Sequence, residues 1–297
     1  MTDRLRAISR QRPGDIITIA FLVFLLGLTI AFYPALPRPK YLISLYSVLI
    51  LAQVILIRLS NKGKFLEFFY DLIFPTICIL AIFDSLEWLV HYINPQDIDP
   101  LLIRLDYMIL GGHPSLILEK IINPYLTDIL QLAYSLYYFV PVGYGAILLM
   151  SGQKEDFNRS LFLILLCFYL SYLGYILFPA LGPRFYLSEI QTSGLHGFIL
   201  TEPLQNLLNR LEGIKRDAFP SGHTGITVLV LYLSFRYKRW FFWLALPVVS
   251  ALIFATVYCR YHYVVDVIAG FGLTIITISL GEWYYGWWER EKARRQF

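Results

Sequence analysis

The sequence predicts an all-α fold, a polytopic membrane helix bundle of about eight transmembrane helices with an amphipathic helix at the interface. Three observations carry that expectation. Of 297 residues, 57% are hydrophobic and only 15% charged, against roughly 25% charged in a soluble globular domain. The apolar residues gather into runs near the roughly 20 residues that a hydrocarbon core of about 30 Å demands of a helix. Lysine and arginine collect in alternate connections, the pattern that orients membrane helices. A nucleic-acid partner is excluded, because the formal charge of +4 is small and the basic residues are dispersed. Cys78, Cys167 and Cys259 lie too far apart to suggest a disulfide framework or a zinc cluster.

Each span has its own justification. Residues 16–33 and 41–57 carry no charge, and the first is longer than a signal-peptide core, so both read as retained spans. Residues 65–93 are apolar but hold Glu67, Asp71, Asp84 and Glu87, so this span is expected to face other helices. Residues 94–124 place Ile98, Leu101, Leu102, Leu105, Met108 and Ile109 on one helical face and Asp97, Asp99, Arg104 and Asp106 on the other. That pattern suits a helix lying on the membrane surface or one packed over the bundle, and amphipathicity does not separate the two. Clean runs follow at 129–150, 160–182, 222–235, 240–259 and 263–284. In the long connection 185–217, Gly194, Gly197, Pro203 and Gly213 break any extended helix. No repeat or linker interrupts the chain, which reads as one integral membrane domain over 1–297.

Orientation follows from the basic residues of the connections. With a cytoplasmic amino terminus, the inside segments hold Arg4, Arg6, Arg10 and Arg12; Arg58, Lys62 and Lys64; Lys154 and Arg159; Arg236, Lys238 and Arg239; and Arg290, Lys292, Arg294 and Arg295. These are 16 of the 25 basic residues. Arg38 and Lys40 dissent, but both termini are expected inside.

Polar clusters at the edge of a membrane bundle are costly and therefore informative. Three occur: FPALGPRF at 178–185, DAFPSGHTG at 217–225, and VYCRYHYVVDVIAG at 257–270. The orientation derived from loop charge puts all three on one, non-cytoplasmic side. His262 and Asp266 are four apart, on one face of a helix if the last span begins there. A carboxylate beside an imidazole fixes its tautomer, raises its basicity and stabilises the cation formed when the other nitrogen bonds an electrophile. Alone, a histidine near a helix start is more often structural; the adjoining aspartate, costly to desolvate, favours a nucleophile. Pro220, Ser221 and Gly222 open another helical run, giving a cap, a close backbone approach and an anion-binding helix start. His223 in its first turn is placed to protonate a group leaving phosphorus. Arg184 and Arg260 can grip phosphate oxygens with planar forks. Together these residues suggest phosphoryl transfer through a covalent phosphohistidine.

The spacing of PSGH at 220–223 from His262-Tyr263 and from DVIAG at 266–270 resembles the membrane branch of the type 2 phosphatidic acid phosphatase superfamily. The likeness is specific over about 170–285 and looser upstream, where Tyr134, Tyr137, Tyr138 and Phe139 resemble an aromatic stretch of the same families. It implies His262 as nucleophile, Asp266 as its orienter, His223 as acid and then base, and Ser221 with Gly222 as phosphate binders. It also implies a six-helix phosphatase-type core in 65–297, preceded by two extra spans in 1–64, with no metal or other cofactor and a phospholipid or polyprenyl phosphate as substrate.

Two departures from the family pattern matter. Its first motif has a lysine seven residues before the arginine and a proline after it, where this chain has Leu177 and Phe185. Its third motif has Ser-Arg where this chain has Ala255 and Thr256. Two phosphate-binding cations are missing, and Arg260, with Lys215 or Arg216, is the candidate compensation. The Pro-Ala-x-Gly-Pro-Arg arrangement with Thr-x-Tyr is more similar to the inositol phosphorylceramide synthase branch, whose phosphodiester substrates carry a single negative charge. Head-group transfer is therefore expected beside hydrolysis.

Asp84, Glu87 and His91 at i, i+3 and i+7 are candidates for holding an acceptor hydroxyl or a cation, although span ends normally carry polar residues. His113 and His196 read as solvated, and Trp283, Trp287 and Trp288 as an interfacial belt. The rival reading is a lipid transporter or flippase that binds phosphate without covalent chemistry. Such sites usually lie near the bilayer centre between inverted repeats, and neither feature is legible here.

Overall fold

The computed structural model describes residues 12–211 and 214–294. Arg4, Arg6, Arg10, Gly213 and Arg295, used in reading the sequence, lie outside the described residues. The described residues are 80% helix, with no strand among them. Its longer helices are α1 (Pro13–Ala31), α2 (Pro39–Leu59), α3 (Lys64–Trp88), α4 (Asp99–Leu110), α5 (Pro124–Met150), α6 (Lys154–Leu177), α7 (Thr201–Leu211), α8 (Gly222–Tyr237), α9 (Arg239–Tyr258) and α10 (Val264–Arg294). Seven of these, α1, α2, α3, α5, α6, α9 and α10, are long and apolar enough to cross a membrane.

The remaining expected span, α8, has 16 residues, about 24 Å at 1.5 Å per residue. It is shorter than the hydrocarbon core but packs against α6, α9 and α10. Its Ile226, Leu229, Val230 and Leu233 are fully buried. A helix enclosed along its length by protein in this way need not reach both membrane surfaces. The outward faces are apolar instead: Val48, Leu51, Trp243 and Ile275 are each more than half exposed, as lipid-facing side chains are in a bundle whose polar groups turn inward.

α1 and α2 are held to the other helices by specific contacts. Thr18 bonds Tyr169 at 2.9 Å and Phe21 stacks on the same ring, which joins α1 to α6. At the start of α1 the buried Asp15 accepts from Gln53 at 2.7 Å and Tyr70 at 2.5 Å, and pairs with Arg12 at 3.3 Å. Arg12 in turn reaches Asp71 at 2.8 Å, and Lys154 also pairs with Asp71. α6 therefore begins in a network of buried charge, and its far end carries the polar motifs.

Two expectations need correction. Of the acidic residues in α3 only Asp71 is buried; Glu67 is half exposed beside Lys154, and Asp84 is exposed. α3 is also not one regular helix. A π-turn over Phe69–Ile73 precedes Pro75, whose missing N–H disturbs the ladder, and a 3₁₀ turn closes it over Leu86–Trp88. Asp84, Glu87 and His91 consequently do not share a regular helical face.

α4 is packed over the bundle, and its polarity runs inward. Asp99 and Asp106 are buried, while Leu101, Met108 and Ile109 are more than half exposed.

Candidate active site

The three polar motifs meet at the end of the bundle opposite the Arg12 network. After α6 the chain turns at Gly182, whose φ of +84° suits glycine and whose Cα lies so close to the Tyr261 carbonyl that a Cβ would stand 2.5 Å from that oxygen. The Ala218 N–H bonds the Ala180 carbonyl at 3.1 Å, and the Arg184 N–H bonds the Arg260 carbonyl at 2.8 Å. Each motif is thus fastened to another by main chain.

α4 supplies side chains that hold the same turns. Asp99 accepts from the N–H groups of Leu181 and Gly182 at 2.9 Å each and from the Tyr263 hydroxyl at 2.8 Å. Asp106 accepts from the N–H groups of Val264 and Val265, at 3.0 and 2.8 Å, and so caps the start of α10. The sequence reading put both aspartates on the polar face of this helix and left open whether it lies on the membrane surface or packs over the bundle. In lipid the polar face of such a helix turns to the protein, and that inversion was the missed signal.

At the centre, the Nε2 of His262 lies 3.4 Å from the Nδ1 of His223. The His262 Nδ1 donates to the Ala218 carbonyl at 2.8 Å, because a carbonyl oxygen can only accept. That bond puts the proton on Nδ1 and leaves the Nε2 lone pair facing His223. Asp266 is fully buried, 3.5 Å from the same Nδ1, and accepts from the Tyr263 N–H at 2.8 Å. The expectation that Asp266 orients the ring is therefore amended: the nearer partner is a main-chain carbonyl, which no side-chain motif announces. His223 is held by rings, stacked on Tyr134 at 4.4 Å between centroids and in contact with Tyr137 at 4.1 Å. Its Nε2 is buried without a hydrogen-bond partner.

A polar cavity of ≈ 350 Å³ opens beside His262, with Arg184, Lys215, Asp217 and Tyr261 in its wall. A narrower cavity of ≈ 80 Å³, walled by apolar side chains of α3, α5 and α6, reaches His223 and Asp217 from within the bundle. Burial pushes the Asp217 carboxyl up to about 6, against the opposing influence of His262.

Several expected binding residues do not face the polar cavity. The Arg260 guanidinium is bound to Glu119 at 2.8 Å, to Gln191 at 2.9 Å and to the Ser193 carbonyl at 2.6 Å. It braces the outer connections instead of lining the cavity, because a buried guanidinium takes the carboxylate within reach. Arg216 pairs with Asp97 at 2.6 Å. Ser221 caps α8 through its hydroxyl, which accepts from the Thr224 N–H at 3.3 Å, and its own N–H bonds the Asp266 carbonyl at 3.1 Å. A Cβ at Gly222 would meet the Tyr175 hydroxyl at 2.5 Å, so that glycine serves a close approach to α6. Glu87 accepts from the Lys215 N–H at 3.3 Å, whereas Asp84 and His91 are exposed and outside the cavity wall. The structure brings together His262, His223, Asp266, Arg184 and Lys215, and adds Asp99, Asp106, Asp217 and Tyr134.

The PAP2 superfamily model matches residues 101–280, a stretch that contains all three motifs. A PA-phosphatase related-family protein of Dictyostelium discoideum is 26% identical over 112 residues, which is 37% of this chain and 20% of that protein. The match thus spans about a fifth of that relative's length. No solved structure matches the chain.

Proposed function

The chain belongs to the PAP2 superfamily, and from that premise we propose that it is an integral membrane lipid phosphatase or phosphotransferase working through a phosphohistidine. The observation that carries the proposal is the facing pair, His262 Nε2 and His223 Nδ1, 3.4 Å apart. In the first step the two rings part to admit a phosphoryl group. The Nε2 lone pair of His262 then forms the N–P bond as the P–O bond to the alcohol breaks, and the departing oxygen takes a proton from His223. In the second step His223 takes a proton from water or an alcohol, the new P–O bond forms, and the electron pair of the N–P bond returns to Nε2. The imidazolium formed between these steps is stabilised by the Ala218 carbonyl and by Asp266. Arg184 and Lys215 are the cations of the cavity wall that hold the phosphoryl oxygens.

The apolar cavity that reaches His223 from between α3, α5 and α6 supports a lipid as the substrate. The missing family cations and the Pro-Ala-x-Gly-Pro-Arg motif favour the inositol phosphorylceramide synthase-like branch, with a phosphodiester head group passed to an alcohol. Loop charge favours cytoplasmic termini and a site at the extracytoplasmic or lumenal face. The chain is read as a single membrane domain in which 65–297 form the reacting core.

Incubating the purified full chain with phosphatidic acid, a prenyl diphosphate and phosphatidylinositol tests the reading. Wild-type protein is expected to release or transfer the head group and to retain an acid-labile ³²P label, and His262→Ala to lose both. Lipid movement that survives His262→Ala, with no label on the wild type, would instead make the site a transporter's.

A further inference from the structure

The scheme above leaves one charged group of the site unused. Asp217 stands between α7 and α8 and lines the polar cavity beside Arg184, Lys215 and His262. It also lines the apolar cavity beside His223. Among the described residues it is the one side chain common to both walls. No other described residue donates a hydrogen bond to its carboxylate. Among the described residues it is neither part of a salt bridge nor a helix cap, so packing there gives no account of a carboxylate.

The charges around the cavity give it a meaning. Arg260 is committed to Glu119 and Arg216 to Asp97, which leaves Arg184 and Lys215 as the cations of the cavity wall. Among the described residues of that wall, Asp217 is the one negative charge against these two positive ones. A phosphate monoester carries about −1.5 to −2 near neutral pH, whereas a phosphodiester carries a single charge. The second charge of a monoester would face Asp217 across a site with an effective dielectric constant far below that of water. The repulsion acts on the monoester more than on the diester.

We propose that Asp217 is the specificity-determining residue of this site, selecting the monoanionic phosphodiester of a lipid over the dianionic monoester. The proposal rests on the phosphohistidine reading above and assigns to one residue the preference for a phosphodiester that this reading favours. Asp217 touches no bond that forms or breaks; it acts on the charge of what enters.

The test uses the full chain in mixed micelles with phosphatidylinositol and phosphatidic acid of identical acyl chains, at pH 7.5. The wild type is expected to show the higher kcat/KM on the diester. Asp217→Asn should raise kcat/KM for phosphatidic acid relative to phosphatidylinositol on the order of tenfold, a step that corresponds to one pKa unit of electrostatic interaction. Asp217→Glu should keep the wild-type ratio. Lys215→Gln, which removes the opposite charge from the same wall, should move the ratio the other way. A merely structural aspartate would lower both activities alike and leave the ratio unmoved. That result, or a wild type that prefers the monoester, overturns the proposal. A wild type that acts on neither lipid, or His262→Ala retaining activity, overturns the phosphohistidine reading itself and is a separate outcome.

Discussion

At His262 the nearer partner of Nδ1 is a main-chain carbonyl. With Nδ1 held by Ala218 at 2.8 Å and by Asp266 only at 3.5 Å, loss of the Asp266 charge leaves the tautomer in place. Where a carboxylate alone fixes the tautomer of a catalytic histidine, its amide variant loses about 10⁴ in kcat. Asp266→Asn is expected to lose less here, about 10²-fold, measured as single-turnover release from phosphatidylinositol with His262→Ala as the zero. A loss as large as in the carboxylate-fixed case would mean that Ala218 does not hold the ring. Asp217 gives a pH signature at the same scale. Its carboxyl is pushed up to about 6 by burial, with His262 opposing and Glu87 adding to the shift, so it is neutral below that pH and charged above it. The diester-to-monoester ratio of the wild type, divided by that of Asp217→Asn, is expected to rise through pH 6. The division cancels the pH effects that do not involve Asp217, and a flat quotient would sink the assignment. His262 and His223 were legible in the sequence because histidines at span ends are rare and costly. Asp217 lay within a motif that was read, but one more carboxylate in a polar stretch carries no mark of where it points.

At the scale of the element, α4 is the helix whose job the sequence left open. Periodicity fixed its existence and its two faces, yet periodicity is the same for a helix on water and a helix on lipid. The structure turns Asp99 and Asp106 inward and leaves Met108 and Ile109 outside. Asp99 then joins the turn after α6 to Tyr263 before α10. Asp99→Asn puts an N–H₂ where three donors converge, at a cost of about 2–3 kcal/mol for the donors left unmatched. It should lower the melting temperature and reduce kcat on phosphatidylinositol, since the Arg184 turn and the His262 turn hang from the same carboxylate. Unchanged melting and turnover would show that the connection is held by other bonds. α8 makes a related point: its apolar run was legible, but its enclosure by α6, α9 and α10 was not, because enclosure belongs to its neighbours.

Across the whole molecule, the buried charge of Arg12, Asp15 and Asp71 and the histidine pair occupy opposite ends of α6. The first joins α1, α2 and α3; the second joins the motifs. Asp15→Asn breaks a buried pair and is expected to cost about 3 kcal/mol, seen as a lower melting temperature in detergent, while KM for the lipid stays unchanged. A shift in KM with no change in melting would show that the amino-terminal helices act on the site.

What the sequence by itself determined was the membrane class, the approximate bounds of the apolar helices, and the three polar motifs that converge. These depend on composition and on local periodicity, which each segment carries alone. What only the tertiary structure decided was which charges are free. Arg260 and Arg184 look alike in the chain, yet one is bound to Glu119 and the other lines the cavity. The partner of a charge comes from distant segments, 141 residues away for Arg260, and the energy of a buried charge depends on that partner and not on its neighbours in sequence.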